Sequence, residues 1–239
     1  MSTVITSSCV YRVGQDSFEG KLVYTDNNSS PRPGVVMAPN WMGVTSTAIK
    51  QAEKIAAEGY VVLIADLYGQ GKRPASGDDA GKYMMEVKDT PAEVERMNAA
   101  LVALVNQKEV AVSASKIAAI GFCFGGHCAL ELARSGADIK AAVSFHGTLD
   151  TSGLYEDKEL KSAVLVLDGA ADPLVPREQL AAFSHEMTSK NIDWQLISYA
   201  GAVHSFTDPT ANVEGVSQYN ADVSRRAFKS MFALFTEVL

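Results

Sequence analysis

The chain has 239 residues, 47% hydrophobic and 21% charged, with a formal net charge of −7. That balance fits a folded chain with a sizeable core that needs no metal or disulfide to hold it. The absence of a basic block argues against nucleic acid or an anionic membrane as partner.

No apolar run approaches the roughly 18 residues of a transmembrane helix. The opening MSTVITSSCVYRVG lacks a basic start followed by an apolar stretch, so no signal peptide is expected. Three cysteines, Cys9, Cys123 and Cys128, lack metal-ligand spacing. Reduced thiols in a cytoplasmic protein are the expectation.

Taken in order, the chain opens with alternation. Phe18, Gly20, Leu22 and Tyr24 share one face and Glu19, Lys21 and Val23 the other, so with CVYRV ahead of GQDS the segment reads as a hairpin. Continuous apolar runs follow at 34–38, 60–65, 116–121, 141–145, 163–167 and 194–199. Continuity without alternation predicts strands buried on both faces of a parallel sheet.

Helical stripes lie between these runs. Ile49, Ala52, Ile55 and Ala56 form one, ended by Gly59. Thr90–Glu93 (TPAE) reads as a capping box with proline at the first helical position, ahead of Val94, Met97, Leu101, Leu104 and Val105. Later stripes contain Leu180, Phe183 and Met187, then Val223, Ala227, Phe228, Met231, Phe232 and Phe235. The polar stretch 69–82 reads as an irregular loop or lid. A hairpin and six strands alternating with helices predict one α/β domain over 1–239, a mostly parallel, doubly wound sheet.

Gly121-Phe122-Cys123-Phe124-Gly125 follows a buried run and precedes a helical pattern. This is the sequence of a nucleophile elbow with cysteine in the serine position. The nucleophile sits on a strained turn, and flanking glycines avoid clashes with strand and helix. The helix amino end favours thiolate, and the Phe124 amide faces the same spot. Cys128 and Cys9 lack this context and read as core.

A thiol nucleophile needs a base, and the base an orienting acid, in chain order nucleophile, acid, histidine. AVLVLDGAADPLVP offers Asp168, still at the strand end, and Asp172, further into the loop; Asp172 is preferred as the acid. Of four histidines, His127 and His185 fall in helical patterns, and His146 precedes the acid but could line the pocket. His204, in YAGAVHSF, follows the last strand and is the expected base. The loop PNWMG after run 34–38 offers the Trp41 amide as second oxyanion donor.

With GFCFGG around Cys123, DGAADPLVP around Asp172, HSF from His204 and ADLYG after the second parallel strand, the sequence resembles the dienelactone hydrolase family of α/β-hydrolases. The resemblance spans nearly the whole chain. It implies the α/β-hydrolase fold and a Cys123–His204–Asp172 triad with the Phe124 and Trp41 amides as oxyanion hole. It also implies hydrolysis of a small ester or lactone without metal or organic cofactor.

Two departures stand out. The family's best-known members have a glutamate touching the resting cysteine where this chain has Asn40, and an arginine for the substrate carboxylate near where Asp208 stands. The pocket is expected to touch Asn40, Tyr83, His146 and Asp208, and Asp208 with the net charge of −7 points to a substrate other than a strongly anionic lactone. Without the glutamate, a Cys123–His204 ion pair is expected at rest. The expected partner is a small-molecule substrate, and the chain a monomer or small homo-oligomer. Two rival readings are a non-catalytic hydrolase-fold binding protein and a thiol redox protein using Cys123. The first should lose a triad member; the second should place a resolving cysteine beside Cys123.

Overall fold

The computed structural model describes residues 3–26 and 30–239; Met1 and Ser2, part of the stretch read for a leader, lie outside them. The alternating N-terminus forms the expected hairpin, β1 (Val4–Val13) and β2 (Asp16–Thr25), turning at Gly14 with φ +57°. The apolar runs become β3 (Arg32–Ala38), β4 (Val61–Ile64), β5 (Val112–Phe122), β6 (Ala141–Phe145), β7 (Ala163–Gly169) and β8 (Trp194–Tyr199). They form one eight-stranded sheet in the order β1-β2-β4-β3-β5-β6-β7-β8, antiparallel at β1-β2 and β2-β4 and parallel elsewhere.

Helices cover both faces, which is why the central strands are apolar throughout. They are α1 (Ser46–Ala56), α2 (Gly77–Met85), α3 (Pro91–Val105), α4 (Phe124–Arg134), α5 (Arg177–Ser189) and α6 (Ala221–Val238). Met97 and Leu104 of α3, Leu132 of α4 and Met187 of α5 pack with Val36, Ala119 and Val166 in one core layer. Ile55 of α1 and Phe228, Met231 and Phe235 of α6 pack with Met37, Ile120 and Leu167 in the other. The alternate residues of each strand thus feed opposite layers. This is the α/β-hydrolase fold.

Three local readings change. The stretch 69–82 is not irregular throughout: α2 starts at Gly77, capped by Ser76, whose Oγ accepts the Asp79 amide at 3.2 Å, with Asp78 and Asp79 in the first turn. Its glycines face Trp41; a Cβ at Gly77 would lie 3.6 Å from that indole and one at Gly81 3.9 Å. The capping box expected at Thr90 is not made. Glu93 Oε2 accepts the amide of Asp89, whose φ is +59°, while Thr90 Oγ1 donates to the Val87 carbonyl at 2.7 Å. A short hairpin, β9 (Asn212–Val213) with β10 (Ser217–Gln218), was not anticipated. No helix among the described residues is long and apolar enough to cross a membrane.

Candidate active site

β5 hands directly to α4 at Cys123, whose φ of +55° and ψ of −122° put a non-glycine residue in the left-handed half of backbone space. Such a residue costs about 1–3 kcal/mol and persists only where its surroundings hold it. Here the glycines do so by absence. A Cβ on Gly121 would overlap the Gly125 carbonyl, and one on Gly125 would overlap the Ala38 carbonyl of β3. The elbow therefore sits against backbone on both sides. The stacked rings of Phe122 and Phe145, centroids 4.7 Å apart, pack beneath it.

The loop after β7 carries Asp172, 4% exposed. Its Oδ1 accepts the Leu174 amide at 2.8 Å, and its Oδ2 lies 2.7 Å from Nδ1 of His204. Asp168 serves another purpose. It pairs both oxygens with Arg177 at 2.8 and 3.0 Å and accepts from Ser198 Oγ, locking the end of β7 to β8 and the start of α5.

His204 follows β8 and is held on both backbone sides by the β9–β10 hairpin. Its amide donates to the Val216 carbonyl at 3.1 Å and its carbonyl accepts the Gln218 amide at 2.9 Å. With Nδ1 on Asp172, Nε2 remains without a protein hydrogen bond. Burial opposes its protonation, but Asp172 and Cys123 favour it more, and its pKa is pushed up to about 10.

Cys123 and His204 share a cavity of about 500 Å³ at the carboxyl edge of the sheet. Phe124 and Trp41 border it. Phe124 is the first residue of α4, so its amide has no acceptor within the helix. Trp41 lies on a turn fixed three ways. Asn40 Oδ1 accepts the Met42 amide at 3.0 Å, the Gly43 amide donates to the Asn40 carbonyl at 2.8 Å, and the Trp41 carbonyl accepts from Tyr68 Oη at 2.6 Å. Asn40 borders the cavity, but its carbonyl oxygen is committed to that turn.

The remaining pocket expectations fall elsewhere. Tyr83 is not among the lining residues; its ring packs on Tyr68 at 5.5 Å, behind the Trp41 turn. Asp208 is also absent from the lining, because its Oδ1 caps the turn at Thr210. His146 stands behind the nucleophile, 2% exposed with φ +42°. Its Nδ1 accepts the Cys123 amide at 3.2 Å, a hydrogen shared with the Phe145 carbonyl at 3.0 Å, so Nε2 carries the hydrogen and donates to Thr207 Oγ1 at 2.8 Å. Burial, then the charge of His204, hold its pKa well below the ordinary histidine value. The ADLYG aspartate is structural: Asp66 accepts the amides of Glu19, Tyr68 and Gly69.

Sequence reasoning missed the walls. Met84 and Lys88 come from the end of α2 and the turn after it, Thr148 from the loop after β6, Leu174 from beside the acid, and Val213 and Val216 from the β9–β10 hairpin. The leucine in DPLVP was a usable signal, two residues past the preferred acid.

One cluster has metal-ligand atom types. Asp89, His127 and Asp150 bring ligand atoms within 4.8 Å of one another. Cations already match it. Lys88 Nζ is 2.7 Å from both Asp89 and Asp150, and the buried His127 lies 3.3 Å from Asp89 and 3.4 Å from Asp150. His127 is thus an ion-paired interior residue. Cys128 is fully buried, and burial, then Glu93, push its thiol pKa well up.

The dienelactone hydrolase family model matches residues 18–239. The solved structure named m3DLH superposes with a TM-score of 0.92 at 38% identity, covering 99% of both chains. A dienelactone hydrolase-like promiscuous phosphotriesterase from metagenomic libraries superposes with a TM-score of 0.90 at 36% identity, covering 98% of both. A Bradyrhizobium protein named "Probable 2-oxo-3-(5-oxofuran-2-ylidene)propanoate lactonase" is 27% identical over 73% of each chain. A match across 222 of 239 residues settles the matter: the chain belongs to the dienelactone hydrolase family and is a carboxylic ester or lactone hydrolase.

Proposed function

We propose that the chain hydrolyses small esters or lactones by acyl transfer through Cys123, His204 and Asp172. One observation carries this reading. His204 is tethered by Nδ1 to a buried carboxylate at 2.7 Å while its Nε2 stays unbonded on a cavity shared with Cys123. An imidazole fixed at one nitrogen and open at the other is arranged to move protons.

In this mechanism His204 holds the thiol proton as an imidazolium, and the Cys123 sulfur attacks the substrate carbonyl. The amides of Phe124 and Trp41 hold the oxyanion, each contributing about 3 kcal/mol of barrier reduction. His204 Nε2–H protonates the leaving alkoxide, which departs and leaves a thioester on Cys123. Water then gives a proton to His204 and attacks the thioester. The second tetrahedral intermediate collapses to release the carboxylic acid and the thiolate, restoring the ion pair. Asp172 orients the imidazole and stabilises its charge without taking the proton.

The test is turnover of p-nitrophenyl acetate with intact-mass analysis. Wild type accumulates an adduct of about +42 Da (acetyl replacing the thiol hydrogen) under rapid quench, and Cys123→Ala shows neither adduct nor turnover. Equal turnover by wild type and Cys123→Ala rules the mechanism out. The redox reading has less support, because Cys128, the nearest cysteine in sequence, is fully buried in the α4 core layer.

A further inference from the structure

We propose, resting on the hydrolase reading above, that the site takes uncharged esters with apolar chains and discriminates against carboxylated ones. The cavity wall supports this first. Of the nine large hydrophobic side chains that stand exposed among the described residues, four border this one cavity. They are Trp41 at 37%, Leu174 at 49%, Val213 at 58% and Val216 at 39% exposure. Exposed apolar groups scattered singly need no explanation, but a cluster around a site's mouth marks what it binds.

Charge is the second support. Apart from the reacting pair, Lys88 is the one ionic side chain among the described residues lining the cavity. Its ammonium is engaged at 2.7 Å by Asp89 and again by Asp150. His127 draws on the same two carboxylates, so the cluster has no spare cation. The cations of the polar stretch are not in the wall either. Arg73 reaches Asp66 and the Glu19 carbonyl, and Lys72 lies 5.9 Å from the Tyr83 ring centroid. A substrate carboxylate entering here would leave water for an apolar wall without an ionic partner, and such burial is strongly unfavourable. An alkyl chain gains from the same wall.

The experiment compares p-nitrophenyl hexanoate with p-nitrophenyl hydrogen adipate. The two share a six-carbon acyl chain and differ in a terminal methyl or carboxylate; Cys123→Ala supplies the background. The expected kcat/KM favours hexanoate by about 100-fold, and rises about 10-fold or more from acetate to hexanoate. Leu174→Lys, at an exposed position that tolerates the change, should shift the ratio toward adipate by about 10-fold or more. Cys123-dependent turnover with adipate equal or preferred overturns the substrate class and leaves the hydrolase reading standing. No Cys123-dependent turnover or acylation with either ester overturns both readings.

Discussion

His146 accepts the amide hydrogen of Cys123 at Nδ1 across 3.2 Å, while the ring of His204 stands edge-on to it with centroids 5.1 Å apart. One buried neutral imidazole thus touches the backbone of the proposed nucleophile and the ring of the proposed base. Its other nitrogen is tied to Thr207, which also lies 3.5 Å from Gln51 Nε2. The left-handed turn at Cys123 is held partly by this contact. We expect His146→Phe, which keeps a ring but removes the acceptor, to lower kcat by about 10- to 100-fold with KM little changed. Steady-state kinetics on p-nitrophenyl acetate check it; a change confined to KM contradicts it.

The same residue sets a pH dependence of stability. Its folded pKa lies below the unfolded value of about 6.5, so above that pH it is neutral in both states. Below it the unfolded chain binds the extra proton, and stability falls by up to about 1.4 kcal/mol per pH unit until the folded pKa is reached. His204 works in the opposite sense. Its raised pKa gives stability that is complete below about 6.5 and is lost as pH rises toward about 10. Melting curves of wild type and His146→Phe at pH 5.0 and 7.5 check the acid side. The variant should compare more favourably with wild type at pH 5.0 than at 7.5.

Two neighbouring aspartates should separate cleanly by phenotype. Asp172→Asn keeps the shape but loses the charge facing His204, so kcat should fall by roughly 10³- to 10⁴-fold, and the stability the pair lends at neutral and lower pH should fall with it. His204→Ala should lose more, since the proton carrier itself is gone. Asp168→Asn disrupts the bidentate Arg177 pair and the Ser198 contact. It should lower the melting temperature while leaving kcat within a few-fold of wild type. Reversal of these two phenotypes would move the acid to Asp168.

Resting reactivity at Cys123 should depend on both ends of the His204 dyad. With Cys9 and Cys128 replaced, iodoacetamide should label Cys123 faster in wild type than in His204→Ala, because the proposed ion pair needs the imidazole. Asp172→Asn should slow labelling, because the carboxylate that supports a charged His204 is gone. Asn40→Asp puts a carboxylate on the cavity border and should slow labelling at pH 6 by about 10-fold. Equal labelling rates in wild type and His204→Ala contradict the resting ion pair.

What could be read from the chain alone followed from short-range rules. Gly121 and Gly125 announce the elbow because their absent side chains are needed within a few ångströms of it. The strand runs were visible because burial on both faces forces continuous apolarity. The helix at Gly77 was missed because its two glycines argue against helix while Ser76, Asp78 and Asp79 argue for it, and only the packed Trp41 explains the glycines. The β9–β10 hairpin was illegible for a different reason. Its strands are two residues long, and its bonds to His204 reach across a loop that no periodicity encodes. Asp208 was misleading in the same way, since a carboxylate near a histidine in sequence can spend itself on its own turn.

That hairpin has a consequence for how this protein can change. Val213 and Val216 form part of the cavity wall, and Val216 and Gln218 grip the backbone of His204. Reshaping the wall there also shifts the proton carrier, so a library randomised across 212–218 would return variants whose substrate range and turnover move together. Leu174 is tied in the same way to the acid, since its amide donates to Asp172. Met84 lies on α2, so diversity placed there would widen the range of accepted chains while leaving the reaction's timing intact.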